Sequence, residues 1–476
     1  MELLLQDIIH SAAARYPDRV AASRGDRVVT FAEVSAATDR VAAALLRRGV
    51  RPGDRVGWWA ENTLDAIPFY FGIAQVGAIF APVSPRATKQ EADAVMAKAD
   101  PALVIVDEGH EGDVTFDALL AGAPSSGVAM PQLDERLTHA LFFTSGTTGE
   151  PKGVELSHRV DRLRSLERVP VTPRGGTVIL LPQFHMGAWH ESLVAWAAGE
   201  EAVYADGGDV SGVLDAIHRR RAYRIYAIPA VWRRLLEADR SEVDLSCLRI
   251  ADTGTSAASA ELLAAIHEAL PATRTSFGYG STEAGCVAKL GFEDIPHKPG
   301  SVGPPAPGVF VRVEDGELLV RSPFLFSGYF RNPEATAEAL VDGWYRTGEL
   351  VEVDDDGYLS IVGRVKDLIR TGGEWVAPDE VDLVLQAHPA IADAAVAGVP
   401  DEDWGQVVTA FVVVRPGQTV DLDDLRRHCG ERLARHKHPR RLLEVESLPR
   451  TGATGQVQRQ HLVALAQRAT AAGTPT

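Results

Sequence analysis

Residues 142–154 read FFTSGTTGEPKGV. An apolar pair, Phe142 and Phe143, leads into Thr144, Ser145, Gly146, Thr147, Thr148 and Gly149, and Lys152 follows before Gly153. Glycine lets a backbone turn its N–H groups toward an anion, and the hydroxyls of Ser and Thr add donors. The composition is that of a phosphate cradle. It is not the pattern G-x-x-x-x-G-K-[ST]. One Gly/Thr cluster is ordinarily a surface loop; the length and order of this one point to phosphate.

On the N-terminal side of this loop, helical and strand signals alternate. Thr30 and Glu33 have the spacing of a capping box. Val34, Ala37, Val41 and Ala44–Leu45 then recur at helical spacing, with Gly49 as a stop. DRVGWWA reads as a strand and LDAIPFYFGIAQVG as a buried helix. ALVIVD (102–107) and TVILLP (177–182) are short apolar runs of the kind found in parallel strands covered on both faces. This alternation predicts an α/β layered architecture.

Past Pro299 the texture changes. VFVRVEDGELLVRS holds an Asp-Gly turn between two strand-like runs and reads as a hairpin. After residues 363–367 (GRVKD) a further unit is expected, with a helix at PDEVDLVLQAHP, strands at ADAAVAGVP and TAFVVVRPG, and a helix at LDDLRRHCGERLARH. That is a small α+β domain of about 110 residues.

The chain has 476 residues, 45 % of them hydrophobic and 24 % charged, ordinary values for a globular protein of roughly two to four domains. Its formal net charge of -17 argues against nucleic acid as a partner, since displacing counterions needs a basic footprint. The three cysteines, Cys247, Cys286 and Cys429, form no CxxC pattern, which fits a reducing cytoplasm. The start, MELLLQDIIHSAAARYPDRV, has no basic n-region, and no run approaches the ~20 apolar residues of a membrane span. A cytoplasmic protein without a membrane partner is expected.

Several motifs in order carry a resemblance to a known family. FFTSGTTGEPKGV resembles the signature loop of the adenylate-forming (AMP-binding) superfamily, which holds acyl-CoA ligases, peptide-synthetase adenylation domains and luciferases. LPQFH (Leu181–His185) is similar to its acyl-pocket motif and GTSA (Gly254–Ala257) to its adenine loop. GYGSTE (Gly278–Glu283) resembles the adenine and α-phosphate motif. DGWYRTGEL (Asp342–Leu350) resembles the ribose motif, and GRVKDLIRTGGEWVAPDEVD (Gly363–Asp382) the hinge and thiol-access loop.

The resemblance implies an N-terminal AMP-binding domain over 1–364, built of layered α/β subdomains and a β-rich subdomain, and a small mobile α+β C-terminal domain over 365–476. It implies two steps: a carboxylate attacks ATP to give acyl-AMP, then CoA displaces AMP. Nucleotide contacts would come from Thr144, Ser145, Gly146, Thr147, Thr148, Gly149, Lys152, Gly254, Thr255, Ser256, Gly278, Tyr279, Gly280, Glu349 and Arg364. Tyr279 would stack on adenine, Thr282 would bond the α-phosphate and Glu283 would hold Mg²⁺. His185, Met186, Trp189 and Gly280 would shape the acyl pocket. Lys366 would sit at the hinge, and Gly372, Gly373, Glu374 and Trp375 would admit the thiol.

Three positions depart from the family pattern. Glu349 stands for the usual Asp of the ribose motif, and Ser281 for a common Met. The terminal motif runs Leu-Pro-Arg-Thr, one variable residue, then Thr-Gly-Lys in the family. Here it is LPRTGATGQ (Leu448–Gln456), one residue longer, with Gln456 in the place of lysine. That lysine bridges the substrate carboxylate and the α-phosphate during adenylation only. Glutamine still donates a hydrogen bond but carries no charge, and losing one preorganised donor costs ~10²–10³ in rate.

The expected activity is transfer of an acyl group from acyl-AMP to CoA, with adenylation weakened or lost and the acyl-adenylate supplied by a separate enzyme. This resembles the non-adenylating type found in bacterial diterpenoid antibiotic pathways. A complete synthetase using ATP and Mg²⁺, with Arg459 or Lys437 covering for the lysine, is the alternative, beside a silent scaffold and a carrier-protein loading enzyme. The basic run Asp424–Arg441 reads either as a surface for CoA phosphates or a carrier protein, or as a solvated helix face.

Overall fold

The computed structural model describes residues 2–107, 114–122, 128–145, 151–167, 172–256, 258–430, 432–451 and 455–471. The chain divides into two compact units. The larger comprises Met1–Phe310 with Val320–Tyr345, the smaller Val311–Leu319 with Arg346–Thr476.

Among the described residues the larger unit has two sheets in which parallel pairing predominates. In one, the strands follow the order Gly328–Tyr329, Pro151–Ser157, Thr138–Ser145, Ile79–Pro82, Arg55–Trp59, Leu103–Val106 and Val114–Thr115. In the other the order is Gly285–Leu290, Arg274–Ser281, Ile250–Gly254, Arg224–Tyr226, Thr177–Ile179, Ala202–Tyr204, Val20–Arg24 and Arg27–Thr30. Pairing is parallel through the middle of both sheets and antiparallel at both edges of the second and at one edge of the first. This is the α/β alternation read from the sequence, and the short Val/Ile-rich runs are its buried strands.

Local signals explain the helices. Thr30 accepts a hydrogen bond from the Glu33 N–H at 3.2 Å, and the Glu33 carboxylate accepts from the Thr30 N–H at 2.7 Å. This closed capping box starts the helix Phe31–Arg47 and contributes ~1 kcal/mol. The helix Ala66–Gln75 is buried at every position, as its largely apolar sequence requires, and its polar end, Gln75, donates to Asp39 at 2.9 Å. Its Tyr70 stacks on Trp189 of the helix Met186–Ala197, with ring centroids 4.0 Å apart.

In the smaller unit the long hairpin Ile391–Asp401 and Gly405–Val414 is covered on both faces. Ala394 and Val396 pack with Val381 and Leu385 of the helix Pro378–Gln386 and with Leu425 and Cys429 of the helix Leu422–Cys429. Ala395, Ala397 and Val399 pack with Leu462 and Ala466 of the terminal helix Arg459–Ala471. The helix Leu422–Cys429 ends sooner than the expected stretch to His436. It ends at Gly430, a poor helix former, although Leu433 still packs on the core of Leu425 and Cys429, and a 3-10 turn, Arg435–Lys437, follows.

The division between the units falls at Tyr345–Arg346, earlier than the expected boundary between residues 364 and 365. The strand Leu359–Arg364 packs with the helix Pro378–Gln386. At Gly363 a Cβ would lie 2.9 Å from the Ala377 Cβ. Among the described residues, no helix is long and apolar enough to cross a membrane.

Candidate active site

In the larger unit, antiparallel strands bring both ends of the Gly/Thr loop together: Thr144 is opposite Lys152 and Ser145 opposite Pro151. Gly146, Thr147, Thr148 and Gly149 lie outside the described residues. The Lys152 ammonium stands over the Tyr329 ring, 5.0 Å from its centroid. The Tyr329 hydroxyl in turn donates to Glu283 Oε1 at 3.1 Å. One aromatic residue therefore links the cation at the end of the loop to the candidate metal carboxylate. Burial pushes the Tyr329 phenol well above its usual pKa, and the Glu283 charge adds to the shift. Tyr329 is thus the donor in this pair.

Thr282 and Glu283 form the turn between the strands Arg274–Ser281 and Gly285–Leu290, and both are buried. The Phe326 N–H donates to the Glu283 carbonyl at 2.7 Å. Arg164, from the helix His158–Ser165, donates to the carbonyls of Thr282 at 3.1 Å and Glu283 at 3.3 Å. Burial lowers the Arg164 pKa, and Asp161 is the leading influence that opposes this.

No group of three His, Cys, Asp or Glu side chains that could hold a metal occurs among the described residues. A carboxylate such as Glu283, linked through Tyr329 to Lys152, suits Mg²⁺, which keeps several waters and is held by one or two carboxylates plus substrate phosphates. The residues present therefore fit that ion when it arrives with a nucleotide.

Gly254 and Gly278 lie side by side on parallel strands. A Cβ on Gly254 would lie 2.4 Å from the Gly278 carbonyl oxygen and 2.6 Å from the Tyr226 hydroxyl, so only glycine fits. Thr255 follows with φ +66°, a left-handed conformation that costs a β-branched residue ~1–3 kcal/mol. Ser256 continues this loop, and Tyr279 and Gly280 lie on the strand Arg274–Ser281, half-buried and exposed respectively. At Gly280 a Cβ would lie 2.1 Å from the Gly285 carbonyl oxygen.

His185 caps the helix Met186–Ala197, its Nδ1 accepting from the Gly187 N–H at 3.0 Å. The proton of the neutral ring is therefore on Nε2. Desolvation lowers the His185 pKa to about 4. Met186 Sδ lies 4.0 Å from Arg164 Nη1. Trp189 is fully buried, stacked on Tyr70, with its indole N–H donated to the Gln183 carbonyl at 2.6 Å. It is packed as core.

In the smaller unit Glu349 and Arg364 are cross-strand partners, with Arg364 Nε 3.0 Å from Glu349 Oε1. Burial raises the Glu349 pKa, while Arg364 and, more weakly, Lys366 oppose the rise. Lys366 lies in the 3-10 turn Val365–Asp367. Gly372 and Gly373, φ +58° and +90°, form the two-residue turn between Ile369–Thr371 and Glu374–Val376, which needs left-handed backbone at both positions. Beside Gly372 is the Trp404 indole, while a Cβ on Gly373 would meet nothing within 4 Å. Glu374 and Trp375 are exposed next to it.

Gln456 has its backbone fixed at both ends: its N–H donates to Thr451 Oγ1 at 3.1 Å, and its carbonyl accepts from the Thr451 N–H at 2.8 Å. Residues 452–454 lie outside the described residues. Arg459 donates to Asp382 at 2.9 Å, to the Val396 carbonyl at 2.7 Å and to Asp379. Lys437 is bound to Glu380 at 2.6 Å. Much of the basic run Asp424–Arg441 is likewise paired, with Arg427 on Asp424 and Arg441 on Asp401, while Arg440 lies over the Trp404 ring.

Sequence reasoning missed Arg164, Asp161 and Tyr329. The first two sit in SHRVDRLRS, which looks like a solvated charged helix, and a lone Tyr carries no signal.

Residues 9–330 match the AMP-binding enzyme family and residues 380–454 its C-terminal domain. The indoleacetate–CoA ligase of Aromatoleum aromaticum is 30 % identical over 98 % of this chain and 99 % of its own length. A feruloyl-CoA synthase of Amycolatopsis is 32 % identical over 93 % and 96 %. Among solved structures, ATP-bound MatB from Rhodopseudomonas palustris superposes with a TM-score of 0.89 at 28 % identity, covering 98 % of this chain and 99 % of that one. The Bacillus subtilis o-succinylbenzoate CoA synthetase holding its acyl-adenylate gives 0.86 at 27 %, covering 96 % and 97 %. The chain belongs to the AMP-binding enzyme family, among its acyl-CoA ligases.

Proposed function

We propose that this acyl-CoA ligase favours the second half-reaction: it takes an acyl-adenylate made elsewhere and transfers the acyl group to CoA. Gln456 carries this reading. Adenylation brings two anions together, the substrate carboxylate and the α-phosphate, and a cation placed between them offsets their repulsion. A neutral amide cannot. Supporting it, the two cations that could stand in are engaged elsewhere, Arg459 with Asp379 and Asp382 and Lys437 with Glu380.

In this reading Thr144–Gly149 and Lys152 cradle phosphate and Thr282 bonds the α-phosphate. Glu283 holds Mg²⁺ when a nucleotide brings it, and the ion supplies charge neutralisation there. Gly254, Thr255, Ser256, Gly278 and Tyr279 border adenine, while Glu349 and Arg364 meet ribose. His185, Met186 and Gly280 border the acyl group. The functional boundary lies between residues 1–364 and 365–476, with Lys366 at the hinge. Attack of the CoA thiol on acyl-AMP has a good leaving group and needs mainly positioning, which the open side of Gly373 would allow. A separate adenylating partner, and a place in secondary metabolism such as antibiotic biosynthesis, follow from the same reading.

The test supplies ATP and a carboxylic acid in one assay and pre-formed acyl-AMP with CoA in another. The panel begins with the acids named for the relatives: indoleacetate, ferulate and o-succinylbenzoate. Strong pyrophosphate exchange would make the chain a complete synthetase. Silence in both assays across a broad panel would make it a scaffold.

A further inference from the structure

The helix His158–Ser165 buries two charges, with Asp161 3 % and Arg164 1 % exposed. Burying an ion costs several kcal/mol before its partners compensate, so this pair needs a reason. The Arg164 guanidinium is spent on backbone. Nη2 donates to the carbonyls of Phe324 at 2.7 Å, Thr282 at 3.1 Å and Glu283 at 3.3 Å, and Nε donates to Phe324 at 3.2 Å. Nη1 faces Asp161 Oδ1 at 3.6 Å. The other Asp161 oxygen is 2.9 Å from His139 Nε2, and His139 lies on the strand Thr138–Ser145 that leads into the Gly/Thr loop. Gly285, at φ +72°, makes room: a Cβ there would lie 2.9 Å from Arg164 Nε.

Two consecutive carbonyls aimed at one guanidinium fix two consecutive peptide planes, and with them the directions of two side chains. Those side chains belong to Thr282 and Glu283. We propose that Arg164, ion-paired to Asp161 and through it tied to His139, is a positioning residue for adenylate recognition. It holds the Thr282–Glu283 turn so that the hydroxyl meets the α-phosphate and the carboxylate meets the metal. This deepens the proposed function and rests on its assignment of Thr282 and Glu283. The fork of arginine matters here, because Nη2 meets the three carbonyls while Nη1 faces Asp161, whereas a lysine ammonium has one nitrogen for both tasks.

The test is calorimetric binding of AMP and of adenosine to the full chain, with a thermal melt to verify folding. Arg164→Lys keeps the charge opposite Asp161. The double variant Asp161→Asn/Arg164→Gln removes both charges and leaves no lone buried ion. Partners outside a first ligand shell commonly account for 10–100-fold in affinity, so the preference for AMP over adenosine should fall about tenfold in either folded variant. Adenosine affinity should stay within about twofold, since adenosine has no phosphate for Thr282 to meet. A lower melting temperature with an unchanged preference would make Arg164 a structural residue and overturn the inference. An unmodified chain without preference for AMP would overturn the Thr282 assignment itself, and the inference with it.

Discussion

Arg459 donates to Asp382 Oδ2 at 2.9 Å, three residues beyond Gln456. The same guanidinium also holds Asp379 and the Val396 carbonyl, and its side chain is 12 % exposed. A cation so placed is structural: it is the counter-charge that opposes the burial of Asp382, whose pKa burial raises to about 7, and freeing it would remove that compensation. The neutral amide at position 456 therefore has no ready substitute in Arg459.

Restoring the charge should restore the first half-reaction. Thr451 fixes the backbone of residue 456 at its N–H and its carbonyl, so Gln456→Lys starts from a defined position. Pyrophosphate exchange with a cognate acid should rise ~10²-fold or more, while CoA thioester formation from supplied acyl-AMP changes less than about twofold. No gain in exchange would move the defect to the extra residue of the 451–456 loop or to Glu349.

Tyr329 orients Glu283 by one hydrogen bond, and Tyr329→Phe removes it while keeping the ring beneath Lys152. Nucleotide binding followed at stepped Mg²⁺ concentrations should need about tenfold more metal for half-saturation. Stability should fall by ~1 kcal/mol. An unchanged Mg²⁺ requirement would separate Tyr329 from the metal carboxylate.

Acid should unfold the larger unit early. His158 is fully buried and its Nδ1 accepts from the Leu5 N–H at 3.2 Å. Desolvation, with His139 adding, lowers its pKa from 6.5 to about 3. A depressed pKa means that the unfolded chain binds the proton first. The contribution is therefore present above pH ~6.5 and is lost as pH falls toward ~3. The loss by pH 4 is on the order of 3 kcal/mol, and His185, partly in contact with solvent, adds less in the same direction. Denaturant midpoints between pH 7 and 4 measure this, and His158→Gln should flatten the slope.

Trp189→Ala should cost ~3–5 kcal/mol, because it empties the stack on Tyr70 and leaves the Gln183 carbonyl without its donor. Urea unfolding reads this directly. A loss below ~1 kcal/mol would mean that the indole lines open space.

Much of the fold was legible because its signals are local. The Thr30–Glu33 box and the largely apolar 66–75 helix are each specified by residues within a few positions of one another. The helix ending at Gly430 was harder, since the Arg-rich continuation has good helix propensity and Leu433 continues the apolar spacing of Leu425 and Cys429. At the site, glycines and motif order marked the loops. The Arg164 and Tyr329 contacts join residues more than forty positions apart, and a buried charge within a charged run cannot be told from a solvated one without knowing what covers it.

The most direct test compares the two half-reactions on the unmodified chain. Pyrophosphate exchange is measured with ATP, Mg²⁺ and a panel of carboxylic acids, and CoA thioester formation is measured from the matching acyl-adenylates. The account predicts rapid thioester formation, with exchange slower by ~10² or more. Exchange as fast as thioester formation for the same acid would contradict it.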